Sequence, residues 1–381
     1  MERKGTDMKI LIIASWYPSE DQPLNGIFFQ QRAQALARAG CKVSVAAPDV
    51  RLRLRGKKCG ISVSCQNGVM EYRYLKRNMT PFWDEGIARQ QIAMIRKIYK
   101  QVCKDSGKPD VIHLESARCA YAAVALAKAE NIPLTYTEHF SGILNSRPGS
   151  FLDRSMCLAV DSANHIFLLS SAMKRRLTPP EEKYSFLPNA IDFSDFSLSS
   201  QKVPFVFGAL GGLSPVKGYD VLLRAFAKVH EFYPDCLLEI GGDGPEKDAL
   251  LTLCKDLGLE KWVQFPGRIS EKQRSAFYHG KSAFVCSSLT ETFSIVTIEA
   301  FASGLPVVAT KCGGPEDLIN TTNGYLVEKG DPDALAAGMI QMLKNRNTFD
   351  SVKIRQDAYL RYDETAVVAM QKACFEKLIR I

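Results

Sequence analysis

Paired cysteines are absent from this sequence. Its 381 residues include 11 cysteines, an odd number, and no two of them form a Cys-x-x-Cys pair. Such pairs are typical of zinc sites, and disulfide frameworks are typical of short secreted chains with an even number of cysteines. The sequence therefore predicts neither a zinc site nor a disulfide scaffold, and it fits a reducing, cytoplasmic compartment.

Long apolar runs are also absent. No segment reaches the roughly 20 residues that are needed to span a bilayer. The apolar run at residues 10–14 is too short for the core of a signal peptide and is better interpreted as a first strand. With 46% hydrophobic residues over this length, the chain has enough apolar surface for two globular domains.

Acidic residues are scarce in the first half of the chain. Residues 1–200 contain 28 Lys and Arg against 19 Asp and Glu, and the remainder contains 21 against 22. Five of the eight residues from Arg51 to Lys58 are basic. Such a run is either a solvated loop or a surface for an anionic membrane or substrate. No nucleic-acid recognition motif accompanies it, so we predict no nucleic-acid partner.

Two glutamates, Glu291 and Glu299, flank the start of a predicted helix. An apolar run at 283–286 predicts a buried strand, a helix is predicted from about Ile295 to Ser303, and a second strand is predicted at 306–310. Together they predict a βαβ unit whose loop opens at the carboxyl edge of a parallel sheet. Ligands bind at this edge in open α/β sheets, so both glutamates are candidates for substrate binding.

The chemistry at this position suits a diphosphate that is linked to sugars. The first turn of a helix has free N–H groups and the positive end of the dipole, which can hold phosphate oxygens. An ionised carboxylate accepts hydrogen bonds from neighbouring hydroxyls, so Glu299 is predicted to bind a ribose diol and Glu291 a hexose. The alternative is that both are ordinary solvated charges. The helix start that would line the nucleotide sugar comprises Thr292, Phe293, Ser294, Ile295 and Val296.

The residues around the two glutamates carry a family resemblance. The run ETFSIVTIEAFASGLPVVAT, followed by GGPEDLI, resembles the donor-site signature of the family 4 retaining glycosyltransferases. The resemblance implies an α/β fold of the glycosyltransferase B-type, with two Rossmann-like parallel-sheet domains facing a central cleft and a C-terminal helix crossing back to the first domain. We place the boundary in the polar segment 194–204. This gives a first, acceptor-side domain at 1–197 with the crossing helix at 360–381, and a nucleotide-sugar domain at 203–358.

Two positions in the first domain are candidate site residues. Gly26 stands between a loop at 15–25 and a predicted helix at 27–39, where a glycine either lets the backbone approach a ligand or simply precedes a helix. His139 follows a predicted strand at 132–137. These segments resemble polysaccharide-building members of the family. The resemblance implies that the loop lies between donor phosphate and acceptor, and that His139 contacts the donor sugar.

Glycines follow the strands of the second domain. The run EIGGDGPEKD is neither a P-loop nor a dinucleotide fingerprint, because Lys247 occupies the third glycine position. Where the family usually has an arginine that binds diphosphate, this chain has Gly212, whereas the family lysine is retained as Lys217. One ammonium and the helix N-terminus are then left to offset the diphosphate charge. The resemblance places six further residues along the nucleotide sugar together with Gly212 itself, namely Gly242, Asp243, Gly244, Arg268, Ile269 and Glu299.

The predicted activity is transfer of a hexose from a UDP- or GDP-sugar to a lipid-linked saccharide acceptor in cell-surface polysaccharide synthesis. The resemblance implies retention of configuration, with Glu291, His139 and Lys217 as catalytic residues. Neither a metal nor another cofactor is predicted, since Asp331-Pro332-Asp333 is interpreted as a helix N-cap and not as a metal-binding Asp-x-Asp. Two alternatives remain: an inactive binding or scaffold subunit, which Gly212 favours, and a nucleotide-sugar epimerase. The expected location is the cytoplasm, with peripheral contact at the anionic inner face of the membrane.

Overall fold

The chain divides into two compact units. A computed structural model describes residues 8–22, 25–54, 56, 58–200 and 203–379. One unit contains the residues up to Leu187 and from Thr365 onward, and the other contains Pro188–Glu364. Residues 188–193, which precede the polar stretch 194–204, therefore belong with the second unit. One contact shows why: Arg355 Nη2 donates to the carbonyl oxygen of Phe193 at 2.8 Å.

The first unit is built around an eight-stranded sheet. Its strands are β1 Lys9–Ile13, β2 Lys42–Arg51, β3 Gly60–Gln66, β4 Val69–Arg77, β5 Val111–Leu114, β6 Leu134–Thr137, β7 His165–Leu168 and β8 Tyr184–Phe186. Their order across the sheet is β3-β4-β2-β1-β5-β6-β7-β8, and neighbours are parallel except for β3 and β4. The helices are α1 Ile27–Arg38, α2 Asp84–Ser106, α3 Ala120–Glu130, α4 Phe151–Ser162 and α5 Ser171–Leu177. The apolar run of β1 is buried on both faces, as expected of a central parallel strand.

The hairpin of β3 and β4 at one edge of this sheet was not predicted from the sequence. Asn67 and Gly68 form its turn, with φ angles of 49° and 81°. Both angles are positive, which matches the two-residue turns that Asn-Gly pairs favour in hairpins. The first sheet is therefore mixed and not wholly parallel, since β3 runs against β4.

The second unit contains a six-stranded, wholly parallel sheet. Its strands are β9 Val206–Leu210, β10 Leu237–Gly241, β11 Val263–Gly267, β12 Ala283–Cys286, β13 Val307–Thr310 and β14 Gly324–Val327, in the order β11-β10-β9-β12-β13-β14. Its helices are α6 Tyr219–Phe232, α7 Lys247–Asp256, α8 Glu271–His279, α9 Ile295–Ala302, α10 Pro315–Leu318, α11 Pro332–Lys344 and α12 Ser351–Tyr362. The predicted βαβ unit of β12, α9 and β13 is present, and Gly304 follows the helix with a left-handed φ of 71°.

The last helix, α13 Glu364–Ile379, returns to the first unit. Its Phe375 is fully buried, with ring centroids 5.8 Å from His113 and 5.9 Å from Phe167. Lys372 Nζ donates to the carbonyl oxygen of Ala39 at 3.0 Å. The predicted fold class, two α/β units with a returning C-terminal helix, is confirmed. Within the described ranges, none of the helices combines the length and apolarity that crossing a bilayer requires.

Candidate active site

Glu291 is fixed at the carboxyl edge of the second sheet. It lies in the loop between β12 and α9, and its side chain is largely buried. Its backbone N–H donates to the Cys312 carbonyl at 2.8 Å, and Gly314 N–H donates to the Glu291 carbonyl at 2.9 Å. The loop after β12 is thus tied to the loop after β13. Gly314 itself is needed for this approach, because a Cβ there would lie 2.3 Å from Cα of Phe293.

Lys217 and Glu291 form an ion pair. Lys217 Nζ lies 2.5 Å from Glu291 Oε1, and Ser288 Oγ donates to the same oxygen at 2.9 Å. Lys217 follows β9 and Glu291 follows β12, and these strands are neighbours in the sheet. Burial lowers the pKa of Lys217, but the charge and hydrogen bond of Glu291 outweigh burial and leave the pKa raised. The ammonium is therefore charged, and its three donors allow it to hold Glu291 and a phosphate oxygen together.

Glu299 is almost completely buried in α9. Arg274 Nη1 donates to its Oε1 at 2.6 Å, and Tyr278 Oη donates to its Oε2 at 2.8 Å. The charge of Glu299 raises the pKa of Arg274, whereas burial is the main reason why the pKa of Tyr278 is raised. The sequence analysis missed both partners, although they lie four residues apart on one face of α8. A carboxylate can accept about four hydrogen bonds, so these two leave capacity for a ribose hydroxyl.

The N-terminus of α9 lies beside Glu291. Its N-cap residue, Ser294, has a left-handed φ of 86° and makes no capping bond through its side chain. Ser294 Oγ instead pairs with Thr297 Oγ1 at 2.9 Å. The first N–H groups of α9, from Ile295 and Val296, are thus placed where a helix end can hold an anion.

Two buried thiols lie under this loop. Cys286 Sγ lies 3.7 Å from Ser294 Oγ. The hydrogen bond with Cys312 lowers the pKa of Cys286 against the opposing effect of burial, and the same bond raises the pKa of Cys312. The sequence analysis singled out neither thiol, since Cys286 ends β12 and Cys312 follows a different strand, β13.

The glycines of the predicted nucleotide pocket have a structural reason to be glycine. A Cβ at Gly242, whose φ is 144°, would lie 1.9 Å from the Gly211 carbonyl oxygen, and one at Gly244 would lie 2.4 Å from the Leu213 oxygen. These glycines let the ends of β9 and β10 pack closely. Three further predicted residues lie at the same edge: Asp243 and Arg268 are exposed and Ile269 is partly buried. Their contact with a nucleotide stays a prediction.

His139 and Gly26 are found in the first unit. His139 is buried, its Nε2 lies 2.7 Å from Glu115 Oε2, and its ring lies 5.0 Å from that of Phe28. Burial lowers the pKa of His139, so we take the imidazole as neutral, with its Nε2–H donated to Glu115. Gly26 caps α1 with a φ of 78°, and a Cβ there would lie 2.8 Å from the Trp16 carbonyl oxygen. The sequence analysis missed Glu115, which orients the histidine.

A cavity of about 1090 Å³ opens at the carboxyl ends of β1 and β2. Trp16, Arg51, Arg73, Arg118 and Phe140 are among its lining residues. The Arg118 guanidinium lies over the Phe140 ring, 5.2 Å from its centroid. The predicted loop 15–25 forms part of the wall, although its Pro23 and Leu24 lie outside the described residues. Its lining includes Phe140, the residue that follows His139 in the chain, so the cavity is a candidate acceptor site.

Comparisons with known proteins agree with this architecture. Residues 27–195 match the model of Glycosyltransferase Family 4, and residues 191–359 match that of Glycosyl transferases group 1. An uncharacterized glycosyltransferase of Haemophilus influenzae is 30% identical over 261 residues, which cover 66% of this chain and 71% of that protein. The protein belongs to glycosyltransferase family 4.

Solved structures share the fold of this glycosyltransferase. Sucrose-phosphate synthase from Thermosynechococcus elongatus superposes with a TM-score of 0.79 at 17% identity, covering 98% of this chain and 99% of that chain. Anabaena Alr3699/HepE, in complex with UDP and glucose, gives a TM-score of 0.72 at 21% identity, covering 97% and 99%. The predicted family and its B-type fold are thereby confirmed.

The prediction that this glycosyltransferase binds no metal depends on how the motif Asp331-Pro332-Asp333 is interpreted. Asp331 is the N-cap of α11, its Oδ1 accepts from the backbone N–H groups of Asp333 and Ala334, and Pro332 is the first helical residue. The N-cap interpretation is therefore confirmed. Over the described part of the chain, no cluster of three or more His, Cys, Asp and Glu is positioned to hold a metal ion.

Gly212 offers room for the arginine that the family usually has. It is exposed, its φ lies outside the left-handed region, and a Cβ would meet nothing closer than the Asp243 carbonyl oxygen at 4.0 Å. We therefore expect Gly212→Arg to fold normally and to bind UDP or GDP about 10- to 150-fold more tightly, because charge-assisted hydrogen bonds contribute about 1.5–3 kcal/mol. Calorimetric titration checks this. Gly212→Gln is the matched control without charge, and an arginine variant that binds no better than it would refute the expectation.

Proposed function

We propose that this glycosyltransferase moves a hexose from a UDP- or GDP-sugar to a saccharide acceptor with retention of configuration. The observation that carries the proposal is the convergence of Lys217, Glu291 and the N-terminus of α9 at one sheet edge. A bound UDP and glucose in the HepE structure support a nucleotide-sugar donor. Retention is proposed on the family resemblance.

Stabilisation of the leaving diphosphate is the proposed source of most of the catalysis. Negative charge collects on the diphosphate as the bond to the sugar breaks. The Lys217 ammonium and the N–H groups of Ile295 and Val296 are pre-positioned donors, which stabilise such charge without reorganising. No metal or other cofactor is included in this proposal.

Three side chains make the proposed polar contacts with the sugar and the nucleotide. Glu291, oriented by Lys217, accepts from hexose hydroxyls, and Glu299 uses its remaining lone pairs for the ribose. His139, kept neutral by its burial and oriented by Glu115, contacts the donor sugar. The residues proposed to line the rest of the donor are Gly26, Gly212, Gly242, Asp243, Gly244, Arg268, Ile269, Thr292, Phe293 and Ser294.

The acceptor is proposed to be a lipid-linked saccharide, met at the anionic inner face of the cytoplasmic membrane during polysaccharide synthesis. The basic excess of the first 200 residues supports this. Within the basic run, Arg53 and Lys58 are exposed, but Arg51 is engaged by Asp49 and by Asp21. Arg55 and Lys57 lie outside the described residues. Electrostatic attraction from the run is therefore weaker than five free charges would supply.

The proposed reaction is tested by incubating the full chain with a panel of UDP-, GDP- and ADP-sugars. We expect slow release of free nucleotide from one of them, because water replaces the missing acceptor, and we expect this release to persist with EDTA. A changed sugar that keeps its nucleotide would indicate an epimerase. Binding without turnover would indicate a scaffold subunit, which Gly212 favours.

A further inference from the structure

Four large apolar side chains are exposed on the two loops that follow β2 and β4 in the first unit. They are Leu52, Met79, Phe82 and Trp83, which we call the apolar tip. Phe82 is 99% exposed, so its ring contacts almost nothing in the protein. The two loops that carry the tip are adjacent, because Arg51 pairs with Arg77 at the ends of β2 and β4 and Asn78 N–H donates to the Arg51 carbonyl at 2.8 Å.

The loop that carries Phe82 is held in a defined turn. Thr80 N–H donates to Asn78 Oδ1 at 2.9 Å, Trp83 N–H donates to the Thr80 carbonyl at 3.2 Å, and Gln90 Nε2 donates to Thr80 Oγ1 at 2.8 Å. Phe82 itself has a φ of 67°, which is unfavourable for a residue with a bulky side chain. These hydrogen bonds thus hold the loop in a conformation that exposes the Phe82 ring to water. An unfavourable φ of this kind persists only where the surrounding structure imposes it.

We propose that the apolar tip enters the interfacial layer of an anionic lipid bilayer. Tryptophan and other amphipathic rings favour this layer, and neighbouring cations are attracted to its phosphates. The tip has such neighbours: Arg53, Lys58, Arg77 and Arg89 are exposed, and the Arg89 guanidinium lies 5.3 Å from the centroid of the Trp83 ring. Among the acidic residues that follow, Glu85 is paired with Arg154 at 2.7 Å.

The size of the tip argues against a protein partner. A stable protein interface takes about 20–30 residues from each side. Four side chains on two loops fall far short of that, whereas single aromatic and aliphatic side chains suffice to anchor a peripheral protein in a bilayer when charges assist. The tip therefore fits a lipid surface better than a second copy of this chain.

The position of the tip extends the proposed function, and it rests on the membrane contact proposed there. Leu52 and Arg53 line the cavity of the first unit, and so do Ile87 and Gln91 from the start of α2, directly after Trp83. The tip thus borders the cavity. A saccharide attached to a lipid would reach the cavity while its lipid stays in the bilayer.

The test is co-sedimentation with vesicles of phosphatidylcholine alone or mixed equally with phosphatidylglycerol. The variant Met79→Ser/Phe82→Asn removes two side chains that do not line the cavity, and asparagine tolerates a positive φ. Phe232→Asn, which removes an exposed ring from the second unit, is the matched control. We expect the tip variant to partition about 10- to 100-fold less onto the mixed vesicles, because each buried apolar side chain contributes to transfer. The control should bind like the wild type.

Salt and oligomeric state separate the outcomes. At about 1 M salt the Debye length falls to about 3 Å, so residual binding of the wild type should be apolar and should vanish in the tip variant. Equal binding of variant and wild type would overturn the role of the tip but leave membrane contact standing. A wild type that ignores both vesicles would overturn the membrane contact as well, whereas nucleotide release would still test the transferase reaction. If a wild type that binds neither vesicle forms a dimer and the tip variant is a monomer, the apolar tip contacts a second copy of this chain instead of a bilayer.

Discussion

Lys217→Met should lower kcat for the transferase reaction by about 10²- to 10³-fold. Removal of a single pre-positioned donor to a developing anion typically has this effect, and the chain lacks the family arginine that would share the charge. Methionine keeps most of the side-chain volume but removes the ammonium. The measurement is the rate of nucleotide release as a function of donor concentration, which separates kcat from KM.

Lys228→Met is the matched control for this experiment. Lys228 lies in the same unit, in α6, and its ammonium pairs with Asp333 at the surface. It should retain the wild-type kcat, because exposed ion pairs contribute little. Lys217→Met must also retain its circular dichroism and thermal transition, since it leaves Glu291 without its partner. A folded Lys217→Met with unchanged kcat would remove Lys217 from the mechanism.

Glu299→Ala should weaken binding of the nucleoside diphosphate by roughly 1.5–3 kcal/mol, which is about 10- to 150-fold in Kd. The reason is the loss of a charged acceptor for the ribose. Glu291→Ala should instead lower turnover, with the Kd for the nucleotide nearly unchanged. Titration calorimetry with UDP and GDP measures both variants.

Because Glu299 is buried, this experiment needs a second control. Removal of its carboxylate also leaves the Arg274 guanidinium without this ion-pair partner. Tyr278→Phe removes the other hydrogen bond to the same carboxylate at 2.8 Å and leaves the charge in place. Tyr278→Phe should lower the melting temperature of the protein without weakening nucleotide binding. If Tyr278→Phe and Glu299→Ala weaken nucleotide binding equally, Glu299 acts only by supporting the fold.

Helices and strands could be predicted from the sequence, but the order of the strands within each sheet could not. For example, the helical spacing of Leu222, Phe226 and Val229 in the sequence predicts one buried helix face, and all three are fully buried in α6. By contrast, Lys217 and Glu291 stand 74 positions apart and meet because β9 and β12 are adjacent. The order of strands in a sheet depends on tertiary packing, which periodicity does not encode.

Two further differences have local causes. The Asn67-Gly68 signal for a hairpin was present but was not used, so the first sheet was predicted as parallel throughout. The basic run was interpreted either as a solvated loop or as a surface for an anionic membrane or substrate, with its charges counted as free. Asp49, however, stands two positions before Arg51 on the same face of β2 and binds its guanidinium. A composition count includes charges that are already neutralised by such neighbours.

The return of α13 to the first unit has a consequence for how the protein is made. Phe375 packs between His113 and Phe167, so this core stays incomplete on the ribosome until α13 has been synthesised. The second unit, Pro188–Glu364, is continuous and can close its own core earlier. Although the strands of the first unit are synthesised before the second unit, the first unit therefore completes its core later.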